Sequence, residues 1–162
     1  HFASRRCKPR CFEAPMPTIY TIGFTQKPAA RFFDLLRDAG VRRLLDIRLN
    51  PGGQLAGFAK QGDLAYFLRE LIACDYRHVP ALAPTAAILG DYRADHDWNR
   101  YVTRFEALMD ERNVPHILDR AELAATPSCL LCSEATPERC HRRLVAERIG
   151  GAWPEFEIVH LV

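Results

Sequence analysis

The chain has 162 residues, of which 48% are hydrophobic and 26% are charged, so it is long enough to form one domain with a sizeable core. This composition excludes a disordered chain, and the nine glycines and eleven prolines are too few for a fibrous protein. No apolar run approaches the roughly 18 residues of a membrane span, and the basic start lacks the apolar core of a signal peptide. We therefore expect a cytoplasmic protein with no membrane partner, whose six cysteines are reduced.

The net charge of +2 is unevenly distributed along the chain. Residues 1–16 carry a net charge of +3, which leaves residues 17–162 with −1. Residues 1–15 show no periodicity, so we predict a basic, flexible leader followed by a single domain over residues 16–162. Met16 opens the regular pattern and is a plausible natural start, with the preceding residues as upstream sequence.

The first half of the domain alternates strand and helix signals. The β-branched run Thr18–Ile22 predicts a strand, and Thr25 can cap a helix that ends at Gly40. Further along, the pattern predicts a strand over Arg43–Ile47, a loop over Leu49–Gly57 and a helix over Asp63–Cys74.

The second half continues in the same way. Tyr76–Val79 predicts a strand, and residues 80–96, with two prolines and a glycine, predict an irregular segment. The remaining signals predict helices over Trp98–Arg112 and Pro115–Ala125, a buried strand over Ser128–Cys132, a helix over Pro137–Ile149 and a last strand over Glu157–Leu161. This order predicts an α/β fold, a single-domain three-layer sandwich with a mostly parallel, Rossmann-like sheet.

Polar residues follow the predicted strands, where open α/β sheets bind their ligands. The carboxyl ends of parallel strands share one edge of the sheet, so we expect these residues to converge there. They are Gly23, Phe24, Thr25 and Gln26 after the first strand, Asp46, Arg48, Asn50 and Gln54 at the second, His78 at the third, and Cys132, Ser133 and Glu134 at the fourth.

Two carboxylates at this edge are candidate acid–base groups. Asp46 lies in an apolar strand, where a buried carboxylate must be paired, hydrogen-bonded or neutral. It is either a general base with a shifted pKa, or a structural partner of an arginine such as Arg48 or Arg142. Glu134 either divides acid and base roles with Asp46 or caps the following helix.

The run Cys140, His141 and Arg142 falls at the start of the last predicted helix. A helix N-terminus with an arginine favours an anion, and it also favours a reactive thiolate at Cys140 with His141 as acid or base. The alternative is a buried cysteine beside a packing histidine. Cys129 and Cys132 are three apart on a strand and point to opposite faces, so they do not chelate one ion together. We expect no metal and no cofactor.

The 50–60 loop supplies groups that can recognise a nucleobase. Asn50 and Gln54 can read a base edge, Phe58 can stack on a base, and Lys60 adds a positive charge. Amide side chains are equally common in ordinary turns, so this loop alone is a weak indication.

From Met16 onward the chain resembles a bacterial family known as domain of unknown function 488. The family commonly has His and Ser after the first-strand glycine, where this chain has Phe24 and Thr25. The resemblance implies an α/β domain and the same strand-end residues, but no reaction. It is carried by TIYTIGF at 18–24, LLDIRLNPGGQLAGFAK at 44–60, YRHVPALAPT at 76–85, CLLCSEATPERCHRRLVAERI at 129–149 and EIVHL at 157–161.

Together these residues favour an enzyme that acts on a nucleobase in DNA or a nucleotide, most concretely an N-glycosidic hydrolase of the DNA-glycosylase type. Asp46, Glu134 and His141 would be catalytic, with the other strand-end and loop residues binding substrate. Two alternatives remain: a thiol-based or metal-assisted enzyme built on Cys132, Cys140 and His141, and a non-catalytic nucleotide or anion sensor. We expect a monomer or a small homo-oligomer.

Overall fold

A computed structural model describes residues 15–53 and 57–162. Residues 1–14 of the predicted leader, and Gln54 in the predicted loop, lie outside the described residues. In the described part, no helix is long and apolar enough to cross a bilayer. The strands are β1 (Thr18–Gly23), β2 (Arg43–Asp46), β3 (Asp75–His78), β4 (Ser128–Cys132) and β5 (Glu157–Leu161), and the helices are α1 (Ala29–Asp38), α2 (Gln61–Ile72), α3 (Ala86–Asp95), α4 (Trp98–Glu111), α5 (Arg120–Ala125) and α6 (His141–Ala152).

All five strands form one parallel sheet in the order β3-β2-β4-β1-β5. The register places Gly23 of β1 opposite Cys132 of β4, and Asp46 of β2 opposite Leu131. The chain leaves β2 through α2 towards the β3 edge and leaves β4 through α6 towards the β5 edge, in opposite directions across the sheet. A crevice for a ligand is therefore expected between the carboxyl ends of these two neighbouring strands.

The helices cover both faces of the sheet, which confirms the predicted three-layer α/β fold. Successive strand residues point to opposite faces, so Leu44 and Leu131 face one helical layer while Leu45 and Leu130 face the other. The first layer contains the apolar faces of α1 and α2, with Phe32, Phe33, Leu36, Leu64, Leu68 and Ile72. The second contains α3, α4, α5 and α6, with Ile88, Tyr101, Phe105, Met109, Leu123, Leu144, Val145 and Ile149.

The largest difference from the predicted elements is α3, because the sequence pattern predicts an irregular segment over residues 80–96. Thr85 caps this helix, since its hydroxyl oxygen accepts a hydrogen bond from the Ile88 N–H at 3.2 Å. Gly90 lies inside α3, where a glycine lowers the stability of the helix but does not prevent it from forming. The glycine and the two prolines before the cap therefore do not break this helix.

Three helix starts also lie later than predicted. α1 begins after Pro28 without a side-chain cap, and Thr25 lies in the preceding turn, where its N–H donates to the Ser133 carbonyl at 3.1 Å. α5 begins after Asp119, whose carboxylate accepts from the Glu122 N–H at 3.0 Å. α6 begins at His141, so Cys140 occupies its N-cap position rather than its first turn.

Candidate functional site

A cavity of about 360 Å³ opens at the carboxyl ends of β2 and β4, on the side covered by α3, α4 and α6. Its volume lies within the range of small-molecule sites, about 300–1,000 Å³. It is lined by Arg48, Leu49, Asn50, Leu89, Tyr92, Arg93, His96, Trp98, Tyr101, Cys132, Ser133, Glu134, Arg139, Cys140 and His141.

Asp46 and Arg48 form a buried ion pair beside the cavity. Asp46 is fully buried, and its two carboxylate oxygens accept from Arg48 Nε at 2.8 Å and Arg48 Nη2 at 2.6 Å. The Arg48 backbone N–H and the Tyr76 hydroxyl also donate to Asp46, at 3.1 Å and 2.7 Å. Asp46 does not line the cavity, and its carboxylate accepts four hydrogen bonds, an arrangement that suits a partner of Arg48 more than a general base.

Arg48, rather than Asp46, is the member of this pair that reaches the cavity. Its guanidinium lies 5.3 Å from the centre of the Phe24 ring, and its backbone carbonyl is 2.8 Å from Nε2 of His78. Its Nη1 is buried and has no hydrogen-bond partner among the described residues. A buried N–H without a partner costs about 1–3 kcal/mol, which a bound acceptor would recover. Phe24 and His78 therefore support the site without lining it.

Three aromatic residues, Tyr92, Trp98 and Tyr101, form what we call the aromatic wall of the cavity. The Trp98 and Tyr101 rings stack with centroids 5.0 Å apart and planes 14° apart. Tyr92 contacts both, with centroid separations of 5.8 Å and 5.1 Å. Burial raises the pKa of Tyr101, so its hydroxyl stays protonated and the wall is uncharged. Such a surface suits a flat, apolar-faced ligand.

The exposed end of the cavity is polar and charged. It carries Asn50 after β2, Glu134 after β4, and the guanidinium groups of Arg93 and Arg139. Glu134, Arg93 and Arg139 take part in no salt bridge within the described part of the chain. One carboxylate and two arginines therefore face any ligand that enters.

The buried end of the cavity carries Cys132, Cys140 and His141, whose side-chain ligand atoms all lie within 4.8 Å of one another. Complete burial alone would raise the pKa of Cys132, but hydrogen bonds from Cys140 and from the Glu134 and Ser133 backbone lower it below its ordinary value. Burial raises the pKa of Cys140, and its hydrogen bond to Cys132 raises it further. Cys132 is therefore the more acidic of the two thiols.

Arg142 holds the segment that follows β4 and does not line the cavity. Its fully buried guanidinium donates from Nη1 to the Glu134 carbonyl at 2.6 Å and from Nη2 to the Ala135 carbonyl at 3.5 Å. Gly23 leaves room for this segment, because a Cβ there would lie 1.6 Å from the Glu134 carbonyl oxygen. Arg142 and Gly23 thus position Glu134 rather than contact a ligand directly.

Several of the predicted binding residues lie away from the cavity. Phe58 packs on the opposite face of the sheet, against Phe32 and Phe33 of α1, because the 50–60 loop leads into α2. Thr25, Gln26 and Lys60 are exposed outside the cavity lining, and Gln54 lies outside the described residues. The structure therefore groups Arg48, Asn50, Glu134, Cys140 and His141 in one cavity, and places Asp46, Gly23, Phe24, His78 and Arg142 behind it.

The cavity also contains residues that sequence reasoning did not select. Leu89, Tyr92, Arg93 and His96 come from α3 and the residue after it, in the segment predicted to be irregular. Trp98 and Tyr101 lie on α4, where the sequence predicted a helix over Trp98–Arg112 but no ligand-binding residue. The Thr85 cap before an apolar pair was the signal that could have placed α3.

A model of the family described as "Domain of unknown function DUF488" matches residues 28–149, which is more than half of the chain. The matched region includes β2 to β4, the whole aromatic wall and the Cys140-His141-Arg142 run. No curated protein and no solved structure was found to match the chain.

Proposed function

The chain belongs to the DUF488 family, and from that premise we propose that it is a hydrolase of N-glycosidic bonds that acts on a nucleobase in DNA or in a nucleotide. The family description names no reaction, so the argument rests on the cavity. Nucleobase-processing sites combine an aromatic or apolar pocket with groups that hydrogen-bond the base edge. N-glycosidic hydrolysis further needs a carboxylate near the bond that breaks.

The observation that carries this proposal is the aromatic wall together with the two groups that flank it. A base stacked against Trp98 and Tyr101 would lie in the same cavity as Arg48, whose Nη1 has no partner among the described residues, and as Glu134 at the exposed end. Arg93 and Arg139 at the exposed end match the phosphates that flank a nucleotide. These six side chains thus supply groups suited to the base, the glycosidic bond and the phosphates of a nucleotide.

Glu134 acts as the general base in this scheme. Its carboxylate takes a proton from a water molecule, whose oxygen forms a bond to C1′ of the sugar. The bond between C1′ and the base nitrogen breaks, and its electron pair leaves with the base. Positive charge that develops on the sugar in the transition state is stabilised by the same carboxylate.

Arg48 stabilises the departing base. Its Nη1–H donates to a carbonyl oxygen or ring nitrogen on which negative charge develops, and a proton from solvent then completes the free base. The Asp46 carboxylate and the Phe24 ring hold the guanidinium in place before the substrate binds, so little reorganisation is needed during the reaction. Asp46 is a positioning residue here, not the base.

The experiment that tests this proposal measures free base released from oligonucleotides and nucleotides that contain uracil, substituted uracils or damaged purines. We expect release from at least one member of this panel. Substitution Glu134→Gln should lower the rate by about 100-fold or more, as for other general bases. The matched control is Glu138→Gln, because Glu138 follows on the same segment and is exposed outside the cavity lining.

Two results would overturn the proposal. One is the absence of base release across the whole panel by folded protein. The other is equal loss of activity in Glu134→Gln and Glu138→Gln, which would show that the carboxylate in the cavity has no special part in the reaction.

A further inference from the structure

Three potential metal ligands meet at the buried end of the cavity, on two elements fixed by the sheet. Cys132 is the last residue of β4, Cys140 is the N-cap of α6, and His141 is the first residue of that helix. All three are buried and line the cavity, and their ligand atoms lie within 4.8 Å of one another. Ligands on a strand end and a helix start are held more rigidly than ligands on a loop.

The hydrogen bond on the far side of the His141 ring determines which nitrogen can bind a ligand. Nε2 lies 2.8 Å from the Ile47 carbonyl oxygen, which can only accept, so Nε2 carries the proton. In the neutral ring the lone pair is then on Nδ1, which lies 3.3 Å from the Cys132 sulfur. Metal-binding histidines commonly donate their other ring N–H to a backbone carbonyl in this way.

The buried Arg142 points to negative charge at this cluster. Its guanidinium forms no salt bridge with a carboxylate of the described residues, and its partners are two backbone carbonyls and the Cys140 sulfur, 3.5 Å from Nη1. A fully buried cation without a counter-charge is strongly unfavourable. A Cys140 sulfur bound to a metal as thiolate, at the N-terminus of α6, would supply that counter-charge.

We propose that Cys132, Cys140 and His141 bind one zinc ion, whose fourth coordination position faces the cavity. Zinc bonds of about 2.3 Å to sulfur and about 2.0–2.1 Å to nitrogen, at tetrahedral angles, separate the two ligand atoms by about 3.6 Å. The observed separation of 3.3 Å between the Cys132 sulfur and His141 Nδ1 is close to this ligand-to-ligand distance. Small side-chain adjustments are therefore enough to complete the site.

The donor set favours zinc over other common metals. Two thiolates and one imidazole are soft and borderline ligands, whereas Mg²⁺ and Ca²⁺ take oxygen ligands. Three protein ligands with a fourth position open to a cavity are typical of catalytic rather than structural zinc sites. The Arg142 N–H group beside the Cys140 sulfur would then stabilise a metal-bound thiolate from outside the coordination sphere.

This metal site is independent of the proposed glycosidic activity, because its test measures a metal and not a reaction. The full-length protein, expressed with added zinc and purified reduced without chelators, should contain about one zinc per chain by elemental analysis. Substitutions Cys132→Ser and Cys140→Ser should each lower that content about tenfold or more. The matched control, Cys129→Ser, removes a buried cysteine of the same strand that points to the other face, and should keep the zinc.

Cobalt(II) substitution of the wild-type protein provides a second measurement that needs no variant to fold. We expect thiolate-to-cobalt absorption in the near ultraviolet and visible bands of tetrahedral coordination, and azide should shift the visible bands by binding at the fourth position. Wild-type protein that holds no stoichiometric zinc and gives no such cobalt spectrum would overturn the proposal. Equal zinc content in Cys132→Ser, Cys140→Ser and Cys129→Ser would also overturn it, whereas absence of base release would leave it intact.

Discussion

Arg48 is held from several directions before any ligand enters the cavity. The Asp46 carboxylate accepts two hydrogen bonds from its guanidinium, and the Phe24 ring lies 5.3 Å below it. The remaining Nη1 has no partner among the described residues. The guanidinium is thereby held in a fixed position before a ligand binds, which is the arrangement that electrostatic catalysis requires.

Removing the charge of Asp46 tests this structural role. Substitution Asp46→Asn leaves the buried Arg48 without its counter-charge, so we expect a loss of about 3–5 kcal/mol in the free energy of unfolding. Asp75→Asn is the matched control, because Asp75 pairs with two arginines at the exposed surface. This substitution should lower the free energy of unfolding by less than about 1 kcal/mol. Urea denaturation measures both. An Asp46→Asn protein as stable as the control, but inactive, would instead make Asp46 catalytic.

His160 on β5 makes stability depend on pH. Burial lowers its pKa, the nearby Arg142 charge lowers it further, and the Thr21 hydroxyl lies 2.7 Å from Nδ1. The unfolded chain therefore binds a proton more readily than the folded one, at pH values below about 6.5. We expect the free energy of unfolding to fall as the pH drops from about 6.5 towards the lowered pKa of His160.

Substitution His160→Gln should make that loss of stability smaller over the same pH interval, measured by denaturation at a series of pH values. His116→Gln is the control, since His116 is exposed. If His160→Gln and wild type follow the same pH dependence, His160 does not cause it.

At the scale of elements, the end of β1 and the segment after β4 are packed so closely that only glycine fits between them. Substitution Gly23→Ala would place a Cβ 1.6 Å from the Glu134 carbonyl oxygen and 2.8 Å from Arg142 Nη1. We expect it to destabilise the protein by about 1–3 kcal/mol or more and to lower activity, because the segment that carries Glu134 must move.

The matched substitution Gly90→Ala lies inside α3, where a Cβ meets no atom within 4 Å. It should stabilise the protein by about 0.5–1 kcal/mol, because alanine loses less backbone freedom than glycine in a helix. Thermal denaturation of the two variants compares them directly. Equal stability of Gly23→Ala and wild type would show that the two elements are not rigidly packed.

α3 also shows where sequence reasoning was least informative. Long, strongly periodic helices such as α4 could be predicted from their apolar stripes, and each strand from its β-branched or apolar run. α3 could not be predicted in this way, because Gly90 and the preceding prolines suggested a loop. The helix is maintained by its packing against α4, which the local sequence does not show. This one missed element, with the residue after it, concealed four of the fifteen residues that line the cavity, among them Tyr92 of the aromatic wall.

For the molecule as a whole, the order of strands and helices was enough to predict a parallel three-layer fold and to place candidate residues at one edge. It could not determine which side chains would enter the cavity. Asp46 ends β2 and Arg48 lies two residues later, and long-range contacts from Tyr76, His78 and Phe24 hold this pair so that Arg48, and not Asp46, lines the cavity. The proximity of Cys132 to His141 likewise depends on how α6 packs against the sheet.

The uneven charge of the whole chain leads to a prediction about nucleic-acid binding. Residues 17–162 carry a net charge of −1, so phosphate contacts must come from a few local arginines and from the basic leader. Neutralising Arg5, Arg6, Lys8 and Arg10 to Gln should make the salt dependence of DNA binding less steep, by about 1–3 in logarithmic slope. Arg37→Gln on α1, away from the cavity, is the control, and equal slopes for all three proteins would exclude a contribution from the leader.

The most direct test of the central claim follows the oxygen atom of the attacking water. A substrate that releases base is incubated with wild-type protein in oxygen-18 water, and the products are analysed at once by mass spectrometry. Hydrolysis at C1′ predicts that the free base carries no label and that the sugar gains one labelled oxygen. A sugar product that carries no label, or a label found only in the released base, would contradict the account, since water would then not have attacked the glycosidic carbon.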